Sequence, residues 1–183
     1  MLNELGVGAS LVSSVPSTCS ATHEGTHVKV EHDSTAADRI WMQRAIALSR
    51  LCPPAEKAYS VGAVIVAADG TEISHGYSRE TDSHIHAEES ALAKLDPADP
   101  RLRQATTYST LEPCSERMSL RPTCVELIIA AGIPRVVIAW REPALFVDDC
   151  IGVELLVAAG RTVLELPELA AAARSVNAHL PVL

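Results

Sequence analysis

The chain has 183 residues, 48% of them hydrophobic and 3% aromatic, with a net charge of −8. That length suits one domain, which buries roughly two-thirds of its unfolded surface without covalent staples. The acidic balance excludes a nucleic-acid partner held by a broad basic surface, and the lack of any apolar run near the ~20 residues of a membrane span excludes a helical anchor.

Residues 1–34 are rich in Ser, Thr and Gly and hold no helical or strand period. A flexible N-terminal extension is expected there, ahead of one domain over 35–183. His23, His27 and His32 have irregular spacing and no Cys partner, so they belong to solvated tail rather than to a metal tract. A helix is predicted from Ser34 or Thr35 as N-cap to about residue 51, with Trp41, Ala45, Leu48 and Cys52 on one face and Pro53-Pro54 as its stop. Two strands over 61–67 and 71–77, joined through Asp69-Gly70, form a hairpin.

A second helix starts near His86 and ends before Asp96-Pro97. Residues 106–110 have strand composition. Pro122 is expected at the first position of a helix running to Ala131, with Gly132 behind its end. A strand over 135–140, a helix over 150–159 closed by Gly160, a strand over 162–166 and a helix from Pro167 complete the chain. The alternation predicts a three-layer α/β/α sandwich with a mixed sheet of about five strands.

The chemistry concentrates in His86-Ala87-Glu88, Pro113-Cys114 and Cys124. An imidazole and two thiolates are three good ligands for Zn²⁺, and catalytic zinc sites take three protein ligands and leave one position to water. Glu88, two residues from His86, has the chemistry to move protons on and off that water. His86, Cys114 and Cys124 are therefore the predicted metal ligands, for one Zn²⁺ per chain, and Glu88 the predicted catalytic residue. A structural zinc site would need a fourth ligand; the near candidate, His84, is two residues from His86 and off its helix face. Glu88 as a plain helix-start acid is the competing reading, which Glu89 would satisfy equally.

Cys52 and Cys150 read as small buried hydrophobes and His75 and His179 as hydrogen-bonded filler. The five cysteines form no disulfide framework, and with no secretory segment they point to a reducing, cytoplasmic location.

H-x-E followed by P-C-x-x-C is a signature of zinc nucleobase deaminases. This chain departs from it in one way, since Cys124 follows Cys114 by ten positions. At these residues it resembles the cytidine deaminase-like superfamily, and more closely the riboflavin-pathway pyrimidine deaminases. The segments that carry the likeness are Val61-Gly62-Ala63-Val64-Ile65-Val66, His86-Ala87-Glu88 and Thr110-Leu111-Glu112-Pro113-Cys114-Ser115. Gly76-Tyr77-Ser78-Arg79 and Arg117-Met118-Ser119 are similar to the fungal members, which also have a loop between the two cysteines. Two departures from the bacterial members bear on substrate identity. Their Pro-Asn-Pro segment is replaced by Lys57-Ala58-Tyr59-Ser60, and their Gly-Arg-Thr-Pro-Pro-Cys by Leu120-Arg121-Pro122-Thr123-Cys124.

The resemblance implies zinc-dependent hydrolysis of an amino-pyrimidine, a ribosylamino- or ribitylamino-pyrimidinone 5′-phosphate, with release of ammonia. Substrate contacts are expected at Ser78, Arg79, Glu112, Arg117 and Arg121, the three arginines being the basic residues near the site in sequence and the candidates for the phosphate. The resemblance also implies a homodimer or higher homo-oligomer, and no reductase half is expected after Leu166. The alternatives are a deaminase of another base, nucleoside or nucleotide (cytosine, cytidine, dCMP, guanine or a specialised-metabolite base) and a catalytically silent zinc-binding module.

Overall fold

The computed structural model describes residues 34–117, 119, 121–143 and 150–180. Apart from Ser34, the expected N-terminal extension lies outside the described residues, with His23, His27 and His32. The expected fold is present: a five-stranded mixed sheet with helices against it.

The first helix, α1, spans Ala36–Ser49. Thr35 Oγ1 accepts the Asp38 N–H at 3.1 Å and Asp38 Oδ2 accepts the Thr35 N–H at 2.9 Å, so two donors with no intrahelical partner are satisfied reciprocally. Its buried face is Met42, Ala45, Ile46, Leu48 and Ser49. The predicted stripe was rotated by part of a turn: Trp41 is only half-buried, and Cys52 lies beyond the helix end.

Strand β1 (Gly62–Val66) is buried along its length and pairs antiparallel with β2 (Glu72–Tyr77) and β3 (Thr106–Ser109). Strand β3 pairs in parallel with β4 (Arg135–Ile138), and β4 with β5 (Thr162–Glu165), giving the order β2-β1-β3-β4-β5. The continuous apolar runs of β1 and β4 follow from their central places, covered on both faces. Between β2 and β3 come α2 (Ala87–Ala93) and a 3-10 turn over Pro100–Gln104. That turn had no clear period to announce it.

Two glycines show the layering. A Cβ on Gly62 would stand 2.0 Å from the Ala45 carbonyl oxygen of α1, and one on Gly76 would stand 2.5 Å from Ala87 O and Ala91 N of α2. Gly76 pairs with Ala63, the residue after Gly62. Successive strand residues face opposite ways, so α1 and α2 cover opposite faces of the sheet. Helix α5 (Pro167–Ser175) packs beside α1; α3 (Cys124–Ala130) packs beside α2 and against α4 (Gly152–Ala158). The α3 start corrects the sequence reading: Pro122 precedes the helix, and Thr123 is its N-cap, exchanging hydrogen bonds with Glu126 at 3.2 and 2.8 Å. Among the described residues no helix is long and apolar enough to cross a membrane.

Candidate active site

Three backbone positions bring the donors together. His86 is the N-cap of α2, and its own N–H is accepted by Glu89 Oε2 at 3.4 Å. Cys114 lies in the segment leaving the end of β3, which is held from both sides: Thr110 N donates to Gly62 O at 3.1 Å and Glu112 N to Trp140 O at 3.0 Å. Cys124 opens α3, one position after its cap. The site therefore lies beyond the carboxyl end of a parallel strand, where open α/β sheets bind ligands.

The Nδ1 atom of His86 is 3.4 Å from Cys114 Sγ and 3.5 Å from Cys124 Sγ, and all three donor atoms lie within 4.8 Å of one another. Zn–S and Zn–N bonds of about 2.3 and 2.0–2.1 Å in a tetrahedron put sulfur and nitrogen roughly 3.5 Å apart. The donor set and its spacing fit Zn²⁺. The Cys124 N–H, free of the helix because it is in the first turn, donates to Cys114 Sγ at 3.3 Å. A hydrogen bond from Cys124, aided by His86, outweighs burial and holds the Cys114 thiol below the usual thiol range. The Cys114 neighbour and complete burial push Cys124 the other way. A cation between the two sulfurs would favour the second thiolate.

Glu88 is 4% exposed. Ser109, at the end of β3, donates its Oγ–H to Glu88 Oε1 at 2.5 Å. His86, Cys114 and Glu88 line one cleft of about 320 Å³.

The predicted substrate contacts divide. Ser78, Arg79, Glu112 and Arg117 line the cleft, whereas Arg121 does not. Ser78 Oγ accepts the Val61 N–H at 3.1 Å. Arg79, a non-glycine residue at φ +63°, uses its guanidinium on Pro53 O, Tyr59 O and Ser60 Oγ at 3.0, 2.9 and 3.0 Å. Glu112 is buried, and its carboxylate accepts the Val153 N–H at 2.8 Å and the Glu142 N–H at 3.3 Å, so it anchors the start of α4. Arg117 bonds Glu89 Oε2 at 3.1 Å, Pro122 O at 2.9 Å and His84 O at 2.7 Å; Arg121 bonds Glu89 and Asp82 at 3.2 and 3.1 Å. Each of the three arginines thus has an internal partner.

Sequence reasoning missed several cleft residues. Lys57, Tyr59 and Glu142 all line it. Burial pushes the Glu142 carboxyl up to about 7. In the sequence Lys57 and Tyr59 stand only as part of the segment that replaces the bacterial Pro-Asn-Pro, no motif marks Glu142, and Ser109 reads only as part of a strand. Of the remaining residues, Cys52 is half-buried and donates to Val61 O at 3.4 Å, His75 Nδ1 lies 2.7 Å from Glu72 Oε1, and His179 is exposed.

A sheet that presents one histidine and two cysteines, with a buried carboxylate beside them, has the donor set that could hold a zinc ion on an α/β scaffold. Residues 35–140 match the family described as the cytidine and deoxycytidylate deaminase zinc-binding region. The chain belongs to this family. It is 43% identical over 128 residues to a diaminohydroxyphosphoribosylamino-pyrimidine deaminase of Schizosaccharomyces pombe, a match covering 68% of this chain and 31% of that protein. It is 35% identical over 107 residues to a protein of the same name from Buchnera aphidicola, covering 58% of this chain and 69% of the other. Among solved structures, the diaminohydroxyphosphoribosylaminopyrimidine deaminase/5-amino-6-(5-phosphoribosylamino)uracil reductase of Thermotoga maritima superposes with a TM-score of 0.63 at 33% identity, over 76% of this chain and 39% of that one. The chain thus spans about a third of the fission-yeast relative and a larger share of the Buchnera one.

Proposed function

We propose that the protein is a zinc-dependent hydrolase that deaminates an amino-pyrimidine, specifically a riboflavin-pathway ribosylamino- or ribitylamino-pyrimidinone 5′-phosphate. The observation that carries this reading is the buried, serine-held carboxylate of Glu88 lining the same cleft as His86 and Cys114. A structural metal site needs no such group. The names of the fission-yeast, Buchnera and Thermotoga relatives support the substrate class.

His86 Nδ1 and the sulfurs of Cys114 and Cys124 would hold the metal. Zinc, when bound, supplies Lewis acidity that brings the ionisation of water near neutrality. Glu88 takes a proton from water in the cleft and delivers it to the ring nitrogen beside the amine-bearing carbon, which makes that carbon electrophilic. The water oxygen forms its bond to that carbon. Glu88 then carries a second proton to the exocyclic nitrogen, the C–N bond breaks, and ammonia leaves. Water and the ring N=C–NH₂ unit become HN–C=O and NH₃, with no oxidant or reductant. Ser109 fixes Glu88 through these transfers, since its hydroxyl holds one carboxylate oxygen. Burial of Glu88 keeps bulk water from competing for its proton.

Assembly as a homodimer or larger homo-oligomer and residence in the cytoplasm belong to the same proposal. The free thiols of Cys52, Cys114, Cys124 and Cys150 suit a reducing compartment.

The test is ammonia release by the zinc-loaded chain from the two pyrimidinone phosphates, with cytidine, dCMP and guanine alongside. Release from a pyrimidinone phosphate, lost on Glu88→Gln with zinc retained, is the expected result. Turnover that survives Glu88→Gln sinks the mechanism. A preference for cytidine or dCMP sinks the substrate assignment, and no release from any of them points to a silent zinc module.

A further inference from the structure

A phosphorylated substrate needs a cation at the mouth of the cleft, and the arginines nearest in sequence are otherwise occupied. Arg117 and Arg121 share the Glu89 carboxylate, and Arg121 also holds Asp82. Arg79 directs three of its N–H groups to oxygens of the 53–60 segment. Those oxygens are uncharged, so Arg79 retains its positive field while its donors are largely spent on holding the loop.

Lys57 differs from all three. It lines the cleft, its side chain is exposed, and among the described residues it makes no ion pair. Burial orders the cleft by depth. Glu88 and Cys114 are buried, whereas Lys57, Ser83, His84 and Glu116 are exposed, so these last form the rim, on which Lys57 is the cation and Glu116 the acid. A pyrimidine ring placed with its amine-bearing carbon against the His86 and Glu88 end must extend its sugar phosphate towards that rim.

The segment that carries Lys57 is firmly placed. Asn177, buried after α5, accepts the Ser60 N–H at 2.7 Å and donates to Ser60 O at 3.2 Å, which mimics a strand pairing. The Tyr59 ring meets Trp140 edge-on, with centroids 5.9 Å apart. The loop backbone is thus fixed while the Lys57 stem stays free to swing, which suits a flexible point charge that closes on a phosphate.

We propose that Lys57 is the phosphate anchor of this site, at a rim that also offers the Ser83 hydroxyl and the His84 imidazole. The assignment rests on the deaminase reading for its substrate but not for its anion chemistry. It also gives a role to the departure from the bacterial Pro-Asn-Pro segment, because that departure is what places a cation here.

The test uses the zinc-loaded full chain. KM is measured for the phosphorylated pyrimidinone and for its dephosphorylated form, in the wild type and in Lys57→Ala, Lys57→Glu and Lys57→Arg. Lys57→Ala is expected to raise KM for the phosphorylated form about tenfold, shrinking the preference over the dephosphorylated form by the same factor. Lys57→Glu should shrink it further, and Lys57→Arg should keep most of it. An unchanged preference in Lys57→Ala overturns the assignment. Calorimetric titration with ribose 5-phosphate separates this from the deaminase reading, since it needs no turnover. Binding by the wild type that Lys57→Ala weakens supports the anchor even if no pyrimidine is deaminated. Equal binding by the two proteins, or none by either, overturns it even if deamination is intact.

Discussion

Ser109 and Glu88, 21 positions apart in sequence, meet through a 2.5 Å hydrogen bond in which the serine hydroxyl donates to the carboxylate. Ser109 ends β3 and Glu88 lies in the first turn of α2, so the contact exists only because α2 packs over β2 and β1, and β1 is the neighbour of β3 in the sheet. It fixes the orientation of the carboxylate. Replacing Ser109 by Ala should lower kcat by about 10- to 100-fold, with zinc content and KM little changed, and Ser109→Thr should restore much of the loss. Steady-state kinetics with metal analysis and a thermal melt check it; a fall in melting temperature with kcat intact would assign Ser109 to structure alone.

Glu89 and Arg117 form a second clasp. Glu89 accepts the His86 N–H while its carboxylate bonds Arg117, which itself grips Pro122 O two residues before Cys124. One carboxylate thus connects two proposed metal ligands from different segments. Partners outside the ligand shell typically contribute 10–100-fold in metal affinity. Arg117→Ala is expected to weaken zinc retention by about tenfold in a competition with a chromophoric chelator, whatever the substrate proves to be.

Gly76 sits where β2 touches α2, with no room for a Cβ against Ala87 O and Ala91 N. Gly76→Ala should push α2 off the sheet at a cost of about 1–3 kcal/mol. Because His86 and Glu88 open that helix, activity should fall beyond what unfolding explains. Urea unfolding and the specific activity of the folded fraction measure the two effects separately.

Asp38 governs a pH dependence far from the cleft. Burial opposes its charge, but hydrogen bonds from Arg135, Thr35 and Tyr108 more than offset this and hold its carboxyl well below the usual range. A carboxylate whose folded pKa is depressed stabilises the fold above the unfolded value, and that contribution fades as pH falls through it towards the folded value. Asp38→Asn should therefore cost about 3 kcal/mol at pH 7, with the gap to the wild type narrowing below about pH 4. Paired urea titrations at pH 7 and pH 3.5 read the difference and cancel the loss of metal that acid also causes.

Much of the fold was legible because its signals are local. Ser34-Thr35 as a cap, Asp69-Gly70 and the apolar run of β1 each announce an element within a few residues. The start of α3 was misplaced by two positions, since Pro122 and Thr123 are both good first-turn residues. The reciprocal hydrogen bonds with Glu126 decide for Thr123 as cap. In the site, the ligand types and the nearby glutamate were plain. The sequence did not show that Arg79, Arg117, Arg121 and Glu112, the expected substrate contacts, each also have a partner inside the protein.

The sequence by itself singled out the candidate metal donors, because His86 and Cys124 are marked by type and by their places at helix starts, and Cys114 by the Pro-Cys that follows a strand. Only the tertiary structure decided which charges are spent and which remain. Arg117 and Arg121 reach Glu89 across 28 and 32 residues, and Arg79 reaches Pro53 across 26. Such pairings depend on how the loops close over the end of the sheet. Neutralisation falls off over a few ångströms of real distance, which sequence separation does not encode.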